Sequence, residues 1–412
     1  MRAYSLLLLA AMVLFSQCAK DDNPGPPGNN NKPSASLQEF GEANSALAFD
    51  LFDQALKSNE EPGKNVVVSP FSVHAALLMV LNGADGTTYE AIAKTLHSDT
   101  FSETSLNKAY QEYITYIQSV ATTSELRSAN AIFWDENRIF PYQEFTDKMT
   151  EFYEAELNGM SFLAAAALNA INDWVDNATN GRIDKILEEI RPEEVMFLIN
   201  ALYFTGDWSN PFAIEATGMR PFTPEGGHTI EVPTMSHDAT FSFYQGQDYE
   251  AVDIPFADSV FSMTFIRPAS GEQPVDEFAR TFTRDDLLDL YNNRLHAGRL
   301  QLYLPKFETE YKINLNDALK ALGMEVAFNE FEANLTRLGS APEGNLFISR
   351  VEHKTFLKID EKGAEGAAVT SVGIGVTSLP PQMAFDRPFM IVLRDRQLNT
   401  VIFIGKIENP VG

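Results

Sequence analysis

The chain has almost no cysteine and few histidines, and this narrows the chemistry it can carry. Cys18 is its only cysteine, so we expect no disulfide in the folded part, no thiol nucleophile and no cysteine-ligated metal. The six histidines are scattered, without the HExxH pair of a zinc hydrolase. A phosphate-binding glycine loop with a following lysine is also missing from the sequence. We therefore predict a protein that is not an enzyme and that holds no metal or cofactor.

Positive charge is scarce as well. Lys and Arg number 31 against 57 Asp and Glu, which gives a formal charge of -26 and a pI near 4.6. Phosphate backbones and anionic lipid surfaces repel such a chain, so no nucleic-acid partner is expected. Hydrophobic residues make up 44% of the 412 residues. This is enough to bury the core of one large domain or of two ordinary ones.

Long hydrophobic runs are missing apart from one near the N-terminus. Arg2 and the apolar run 6–15 have the form of an export signal over residues 1–17, and the run is too short to predict a membrane span. Cys18 resembles the lipid-modified cysteine of bacterial lipoproteins, although Gln17 replaces the usual small residue, and an ordinary cleaved signal is the alternative. Residues 18–36 are then the attachment site and a flexible linker rich in Pro, Gly and Asn. We expect a secreted or cell-surface, outer-membrane lipoprotein on the extracellular side, which touches a membrane only through this anchor.

Residues 37–412 show the patterns of a single mixed domain, with helices mostly early and strands mostly late. Ser69 before Pro70 is typical of a helix start, and Thr87 with Glu90 has the spacing of a capping box that opens a helix toward His97. Apolar spacing predicts helices at 37–57, 70–81, 105–119, 141–154 and 164–177. Strand-like runs lie at 196–205, 240–244, 260–266, 300–304, 346–359, 389–393 and 401–404. The pattern favours an α+β fold.

The segment 363–378, GAEGAAVTSVGIGVTS, is unusual because it looks built for two conformations. Its residues are small or β-branched, with Glu365 as the single charge, whereas a free loop of this length would normally be polar. One alternating row is small or apolar, and it consists of Ala364, Gly366, Ala368, Thr370, Val372 and Ile374. This is the period of a strand with one buried face. We predict that the segment is exposed in one state and a sheet strand in another.

Several segments resemble the serpin family, and together they span residues 38–410. They are NVVVSPFSVHAAL from Asn65, NDWVDNATNGRI from Asn172, INALYFTGDW from Ile199, LPKFE from Leu304, VEHKTFLKIDEKGAEGAA from Val351, and the closing pair FDRPFMIVL and FIGKIENP. The resemblance implies the serpin fold, with three β-sheets, eight or nine helices and an exposed reactive-centre loop. It also implies a suicide substrate: a protease cleaves the loop, forms an acyl-enzyme, and is carried off as the loop inserts into the central sheet.

The resemblance also implies which residues form the site. A fixed count from the hinge residue Glu361 places the cleaved bond between Thr377 and Ser378, with Val376 as the loop flank; cleavage after Val376 is the alternative. The remaining assignments are the hinge (Glu361, Gly363, Ala364, Glu365, Gly366, Ala367 and Ala368), the shutter where central strands part (Ser69, Ser72, Asn200 and His353), and the breach under the point of insertion (Trp208). Gly366 replaces the usual alanine. The competing interpretation is plain packing, with Ser69 as a helix cap, His353 as a hydrogen-bonded core histidine and Trp208 as a core residue.

The residues next to the expected cleavage site suggest the class of target protease. Thr377 and Val376 suit a small apolar primary pocket, so we expect elastase-like serine proteases as partners, with papain-like cysteine proteases as a second class that would accept Val376. The protein is expected to act as a monomer. The competing hypothesis is a non-inhibitory serpin-fold module that binds partners at the cell surface. A hinge without proline or bulky residues argues against that hypothesis.

Overall fold

The structure, a computed structural model of the chain, describes residues 33–58, 63–163, 165–364 and 380–411. Within these ranges, no helix has both the length and the apolar character needed to span a bilayer.

Nine α-helices occur within the described residues. They are α1 (Ala35–Ser58), α2 (Pro70–Gly83), α3 (Gly86–Thr95), α4 (Glu103–Val120), α5 (Gln143–Tyr153), α6 (Ala165–Ala178), α7 (Val275–Thr281), α8 (Arg284–Asp289) and α9 (Asn316–Leu319). Shorter π- or 3-10-helical turns lie at Ile214–Ala216, Leu290–Arg294, Lys320–Met324 and Glu325–Phe328. The early helices agree with the sequence-based prediction to within a few residues.

The starts of α2 and α3 show where local signals succeed and fail. At α2, the Ser69 side chain accepts the Ser72 N–H at 3.3 Å, and Pro70 stands in the first turn, as predicted. The capping box predicted from Thr87 is wrong, because α3 begins at Gly86 after Asp85 and has no side-chain cap. Gly86 has a φ of +53° and turns the chain into the helix. Thr87 therefore already lies in the first turn and cannot be its N-cap.

Seventeen strands occur within the described residues. They are β1 (Val66–Val68), β2 (Glu125–Asp135), β3 (Phe140–Pro141), β4 (Glu156–Met160), β5 (Met196–Asp207), β6 (Gly218–Phe222), β7 (Ile230–Gln245), β8 (Tyr249–Pro255), β9 (Phe261–Pro268), β10 (His296–Pro305), β11 (Phe307–Asn314), β12 (Gly339–Ser340), β13 (Glu352–Ile359), β14 (Gly363–Ala364), β15 (Gln382–Ala384), β16 (Phe389–Asp395) and β17 (Val401–Ile407). The strand predicted at 346–359 is therefore too long, because residues 346–351 have no strand partner and line a cavity instead. The run 240–244 is only part of the longer β7.

The strands form two large layers. A nine-stranded sheet runs β1-β17-β16-β9-β8-β7-β10-β15, and β6 pairs with the first residues of β7. A four-stranded sheet runs β14-β5-β2-β4, and β11 pairs antiparallel with β13. The small β3–β12 pair stands apart. The long β7 holds the large sheet together, because its first part pairs with β6 and its last part with β8, while β10 spans most of its length.

One continuous apolar core joins the early helices to the late strands. It includes Leu47 and Leu51 of α1, Leu78 of α2, Phe204 of β5 and Ile402 of β17. α1 and α2 present these residues at helical spacing, and burial of each large side chain contributes roughly 1.5–3 kcal/mol. The four-stranded sheet therefore rests on a rigid base formed by α2 and β17.

Candidate functional site

The layer that contains β5 and β13 is open along one seam. β5 bonds to β2 and β13 bonds to β11, but the facing edges of β5 and β13 are not bonded to each other. A cavity of about 290 Å³ lies between residues 193–202 and 345–355, and a smaller hollow continues between 202–204 and 356–358 to Ala364. We call this seam the cleft. Two strand edges that do not pair with each other can accept one further strand between them.

The hinge residues Gly363 and Ala364 already occupy one end of the cleft, which we call the hinge end. After β13 the Asp360 N–H donates to the Gly363 carbonyl oxygen at 3.0 Å. β14 then pairs antiparallel with β5, with Ala364 opposite Gly206. Gly363 has a φ of +152°, and a Cβ at this position would overlap the Gly206 carbonyl oxygen. The pairing therefore requires glycine at position 363.

The hinge glutamate Glu361 is held by an ion pair and a hydrogen bond. Lys306 Nζ lies 2.8 Å from Glu361 Oε2, and Thr217 Oγ1 donates to Glu361 Oε1 at 2.7 Å. The Glu361 carbonyl accepts the Phe212 N–H at 2.8 Å. Burial alone would raise the pKa of the Glu361 carboxyl, but the hydrogen bonds from Lys306 and Thr217 outweigh it and lower the pKa below its usual value. The turn 360–362 is thus fixed to Lys306, which lies between β10 and β11, and to the segment before β6.

Trp208 lies against the same turn. Its indole stacks on Phe256 with ring centroids 4.6 Å apart, and its Nε1–H donates to the Asp360 carbonyl at 3.0 Å. Its backbone N–H donates to the Lys362 carbonyl at 2.6 Å. Trp208 is therefore both a buried core residue and a direct contact of the hinge, so the packing interpretation and the breach assignment describe the same geometry.

All four shutter residues meet at the cleft. The Ser69 N–H donates to His353 Nε2 at 2.9 Å, and Ser69 Oγ donates to the Ile402 carbonyl at 2.9 Å. Ser72 Oγ donates to the Asn200 carbonyl at 3.3 Å. The start of α2 is therefore bonded to β13 through His353 and to β5 through Asn200. A single helix end touches both walls of the cleft.

Asn200 itself is the most informative polar residue of the cleft. Its Nδ2 donates to Ser128 Oγ at 2.7 Å and to Asn130 Oδ1 at 3.0 Å. Its Oδ1 is buried and, within the described residues, has no hydrogen-bond partner. A buried acceptor without a donor is costly. The open cleft therefore leaves a polar group unsatisfied where an added strand would pass.

His353 is a neutral acceptor in this structure. It is only 5% exposed, and burial, which disfavours the charged ring, lowers its pKa to about 4. The Ser69 N–H needs an unprotonated Nε2 to accept it. Protonation of His353 would therefore break the bond between α2 and β13.

The rest of the predicted site lies outside the described residues. These positions are Cys18, Glu365, Gly366, Ala367, Ala368, Val376, Thr377 and Ser378. Among the residues that are described, no cluster of three or more His, Cys, Asp or Glu side chains could hold a metal ion.

Sequence reasoning did not identify the charged partners around the cleft. Lys306 belongs to the LPKFE segment, but nothing local shows that it pairs with Glu361. Glu194 and Arg350 precede β5 and β13, and Arg350 Nε lies 2.8 Å from Glu194 Oε1. Each pair joins residues far apart in the chain, so only the assembled fold reveals it.

Comparison with known proteins identifies the family of this chain. The profile of the family described as Serpin (serine protease inhibitor) matches residues 42–410, and the chain therefore belongs to the serpin family. Members of this family are generally protease inhibitors rather than catalysts. Human Serpin B3 is 30% identical over 400 residues, covering 91% of this chain and 100% of that protein. The leukocyte elastase inhibitor of Sus scrofa is 30% identical over 394 residues, with the same coverage.

Solved structures give the same fold. The native state of the thermophilic serpin tengpin superimposes with a TM-score of 0.82 at 31% identity, covering 92% of this chain and 95% of that one. Human thyroxine-binding globulin in complex with thyroxine gives a TM-score of 0.81 at 27% identity, covering 92% of this chain and 100% of that one. The α+β serpin fold predicted from the sequence is therefore confirmed.

Proposed function

We propose that this protein is a suicide inhibitor of extracellular serine proteases, which it traps by inserting its cleaved reactive-centre loop into the cleft between β5 and β13. The observation that carries the proposal is the open cleft with β14 already paired at its hinge end. The protein supplies bait and a conformational change, and the protease supplies all the catalytic groups.

The register of β14 predicts how the rest of the loop would fit. If the pairing of Ala364 with Gly206 continued along β5, Thr370 would lie opposite Asn200 and Val376 opposite Glu194. Ala364 is 1% exposed, and side chains alternate along a strand. The row of small or apolar residues that begins at Ala364 would therefore face the core, with the Thr370 hydroxyl near the unsatisfied Asn200 Oδ1. The Asn200 side-chain oxygen would then accept a hydrogen bond from the Thr370 hydroxyl.

The bait sequence supports an elastase-like target. Thr377 before the scissile bond offers a small β-branched side chain, and Val376 precedes it. One relative of similar length is a leukocyte elastase inhibitor. A papain-like cysteine protease that selects Val376 is the second class of target. The N-terminal signal and Cys18 support a lipoprotein that displays this inhibitor outside the cell.

The deciding experiment is incubation with porcine pancreatic elastase followed by denaturing electrophoresis. We expect a covalent complex with the wild type. Ala364→Arg should be cleaved without complex formation, because a charged side chain at this buried position would disrupt the β14–β5 pairing from which insertion continues. Met219→Arg is the matched control: Met219 is 61% exposed on β6, so this variant adds the same charge outside the cleft and should still trap.

Clean cleavage of the wild type with elastase activity intact would refute inhibition and favour the non-inhibitory binding module.

A second experiment tests which bond of the loop is cleaved. Thr377→Arg should create a trypsin inhibitor if Thr377 precedes the cleaved bond, whereas Val376→Arg should do so if cleavage occurs one bond earlier. Mass spectrometry of the released peptide identifies the bond directly.

A further inference from the structure

A buried ion pair closes the end of the cleft opposite the hinge. Arg350 Nε lies 2.8 Å from Glu194 Oε1, and Arg350 Nη2 donates to Glu194 Oε2 at 2.9 Å. The two side chains are only 5% and 1% exposed. Glu194 stands just before β5 and Arg350 just before β13, so the pair bridges the two walls.

Further bonds fix the bridge in position. Arg350 Nη2 donates to the Glu189 carbonyl at 3.0 Å, and Glu194 Oε2 accepts the Arg191 N–H at 2.7 Å. Arg138 Nη1 donates to the Pro192 carbonyl at 2.6 Å. The segment 189–194, which leads from α6 into β5, is thus fastened to the start of β13. The bridge therefore consists of one charge-assisted hydrogen bond, from Arg350 Nη2 to Glu194 Oε2, within a close ion pair, and charge-assisted bonds are stronger than neutral ones.

The bridge lies where an added strand would have to end. The Arg350 guanidinium lies 6.0 Å from the centre of the Phe197 ring, and both residues line the cavity. A strand that entered from Gly206 and paired antiparallel with β5 would reach the guanidinium at the level of Phe197. To continue to Glu194 it would have to separate Arg350 from its partner.

We propose that the Arg350–Glu194 pair is a stop at the far end of the cleft, a positioning pair that controls how far an inserted strand can run. This inference rests on the proposed function, because it needs a cleft that accepts a strand. The pair obstructs the space that an inserted strand would need, and it contacts no reacting atom. A strand that ends before Phe197 should not sense it, whereas a longer strand should be slowed by it.

The length dependence gives a direct test. Two synthetic peptides with the sequences of residues 365–372 and 365–376 are added to the intact full-length protein. On the β5 register the shorter one ends opposite Leu198, and the longer one reaches Glu194. Incorporation is followed as the appearance of a heat-stable form. Because a single replacement would leave a buried unpaired charge, the main variant is the neutral double replacement Glu194→Gln with Arg350→Met.

We expect the double variant to incorporate the longer peptide at least about threefold faster than the wild type does, and the shorter peptide at the same rate. Arg350→Lys keeps the charge and should restore rates close to wild type. Glu343→Gln is the matched control, because it removes the ion pair of Arg138 with Glu343 at the same end of the cavity while keeping both Arg350 and Glu194. Glu194→Gln alone, which keeps the side-chain shape, serves if the double variant does not fold.

Equal rates for the longer peptide in variant and wild type would overturn the stop. An equal acceleration of both peptides would overturn it as well, since that result means general loosening of the sheet. If the wild type incorporates neither peptide, the cleft accepts no strand and the proposed function itself fails. If the wild type incorporates both and the variant behaves identically, only the stop is refuted.

Discussion

Acidification should destabilise the uncleaved protein through His353. The folded pKa is about 4 against an ordinary value of 6.5, so between these values the unfolded chain binds a proton that the folded chain does not. Stability is therefore fully present above about pH 6.5 and decreases as the pH falls toward 4. At pH 5 this difference amounts to about 2 kcal/mol. The physical event is proton binding by the unfolded chain, because folded His353 stays neutral above its pKa of about 4 and keeps accepting the Ser69 N–H at Nε2.

The variant His353→Gln isolates this contribution. A glutamine carboxamide oxygen can accept the Ser69 N–H but does not titrate. Guanidinium titrations of the uncleaved protein at pH 7.5 and 5.0 give the free energy of the first unfolding transition. The decrease in this free energy from pH 7.5 to 5.0 should be about 2 kcal/mol smaller in the variant than in the wild type. Because the unfolding of a domain of this size need not be two-state, the slopes of the transition must agree between variant and wild type.

His74 supplies the comparison. It is fully buried in α2 with its pKa lowered to about 3, first by burial and then by the nearby His97. The variant His74→Gln should reduce the loss of unfolding free energy between pH 7.5 and 5.0 by a similar amount. Unlike His353, His74 does not contact the walls of the cleft. The reasoning for His353 would be refuted if His353→Gln lost as much stability on acidification as the wild type does.

Three further predictions concern the hinge. Glu361→Gln should lower the free energy of unfolding by about 1 kcal/mol, because the ion pair to a one-third exposed Lys306 is lost; urea titration measures it, and an unchanged midpoint would contradict it. Gly363→Val should abolish trapping of elastase while the protein stays folded, since the side chain cannot pass the Gly206 carbonyl; a persistent complex on a denaturing gel would contradict this. Trp208→Phe should cost roughly 1 kcal/mol through the lost bond to the Asp360 carbonyl, and thermal unfolding of the uncleaved protein checks it.

Local signals in the sequence predicted the helices and the interior strands well. α2 is an example, because Ser69 and Pro70 determine its start without help from distant residues. β7 is the opposite case: only 240–244 was predicted, but the strand runs Ile230–Gln245. Its first part carries Pro233 and polar residues, and it becomes a strand because β6 and β10 pair with it. Pairing with distant strands overrides local propensity there.

The charged contacts of the cleft could not be predicted in the same way. The family resemblance named Glu361, but not Lys306 or Thr217, which hold it in place. It also gave no reason to single out Arg350 and Glu194, which meet only because β5 and β13 start at the same end of the cleft. Periodicity identifies which face of an element is buried. It does not identify which charged side chain of another element lies opposite.

The open cleft explains why such a fold can store free energy. The facing edges of β5 and β13 do not pair with each other, and among the described residues Asn200 Oδ1 lacks a donor. Each backbone hydrogen bond that an added strand formed would contribute on the order of 1 kcal/mol, so a strand of ten or so residues bonded on both sides outweighs the roughly 0.5–1 kcal/mol lost at a glycine such as Gly366. Under the proposed function, this gain would be withheld while the chain between β14 and β15 is intact. Cleavage would remove that restraint, and the unpaired edges would then drive insertion toward the pair of Arg350 with Glu194.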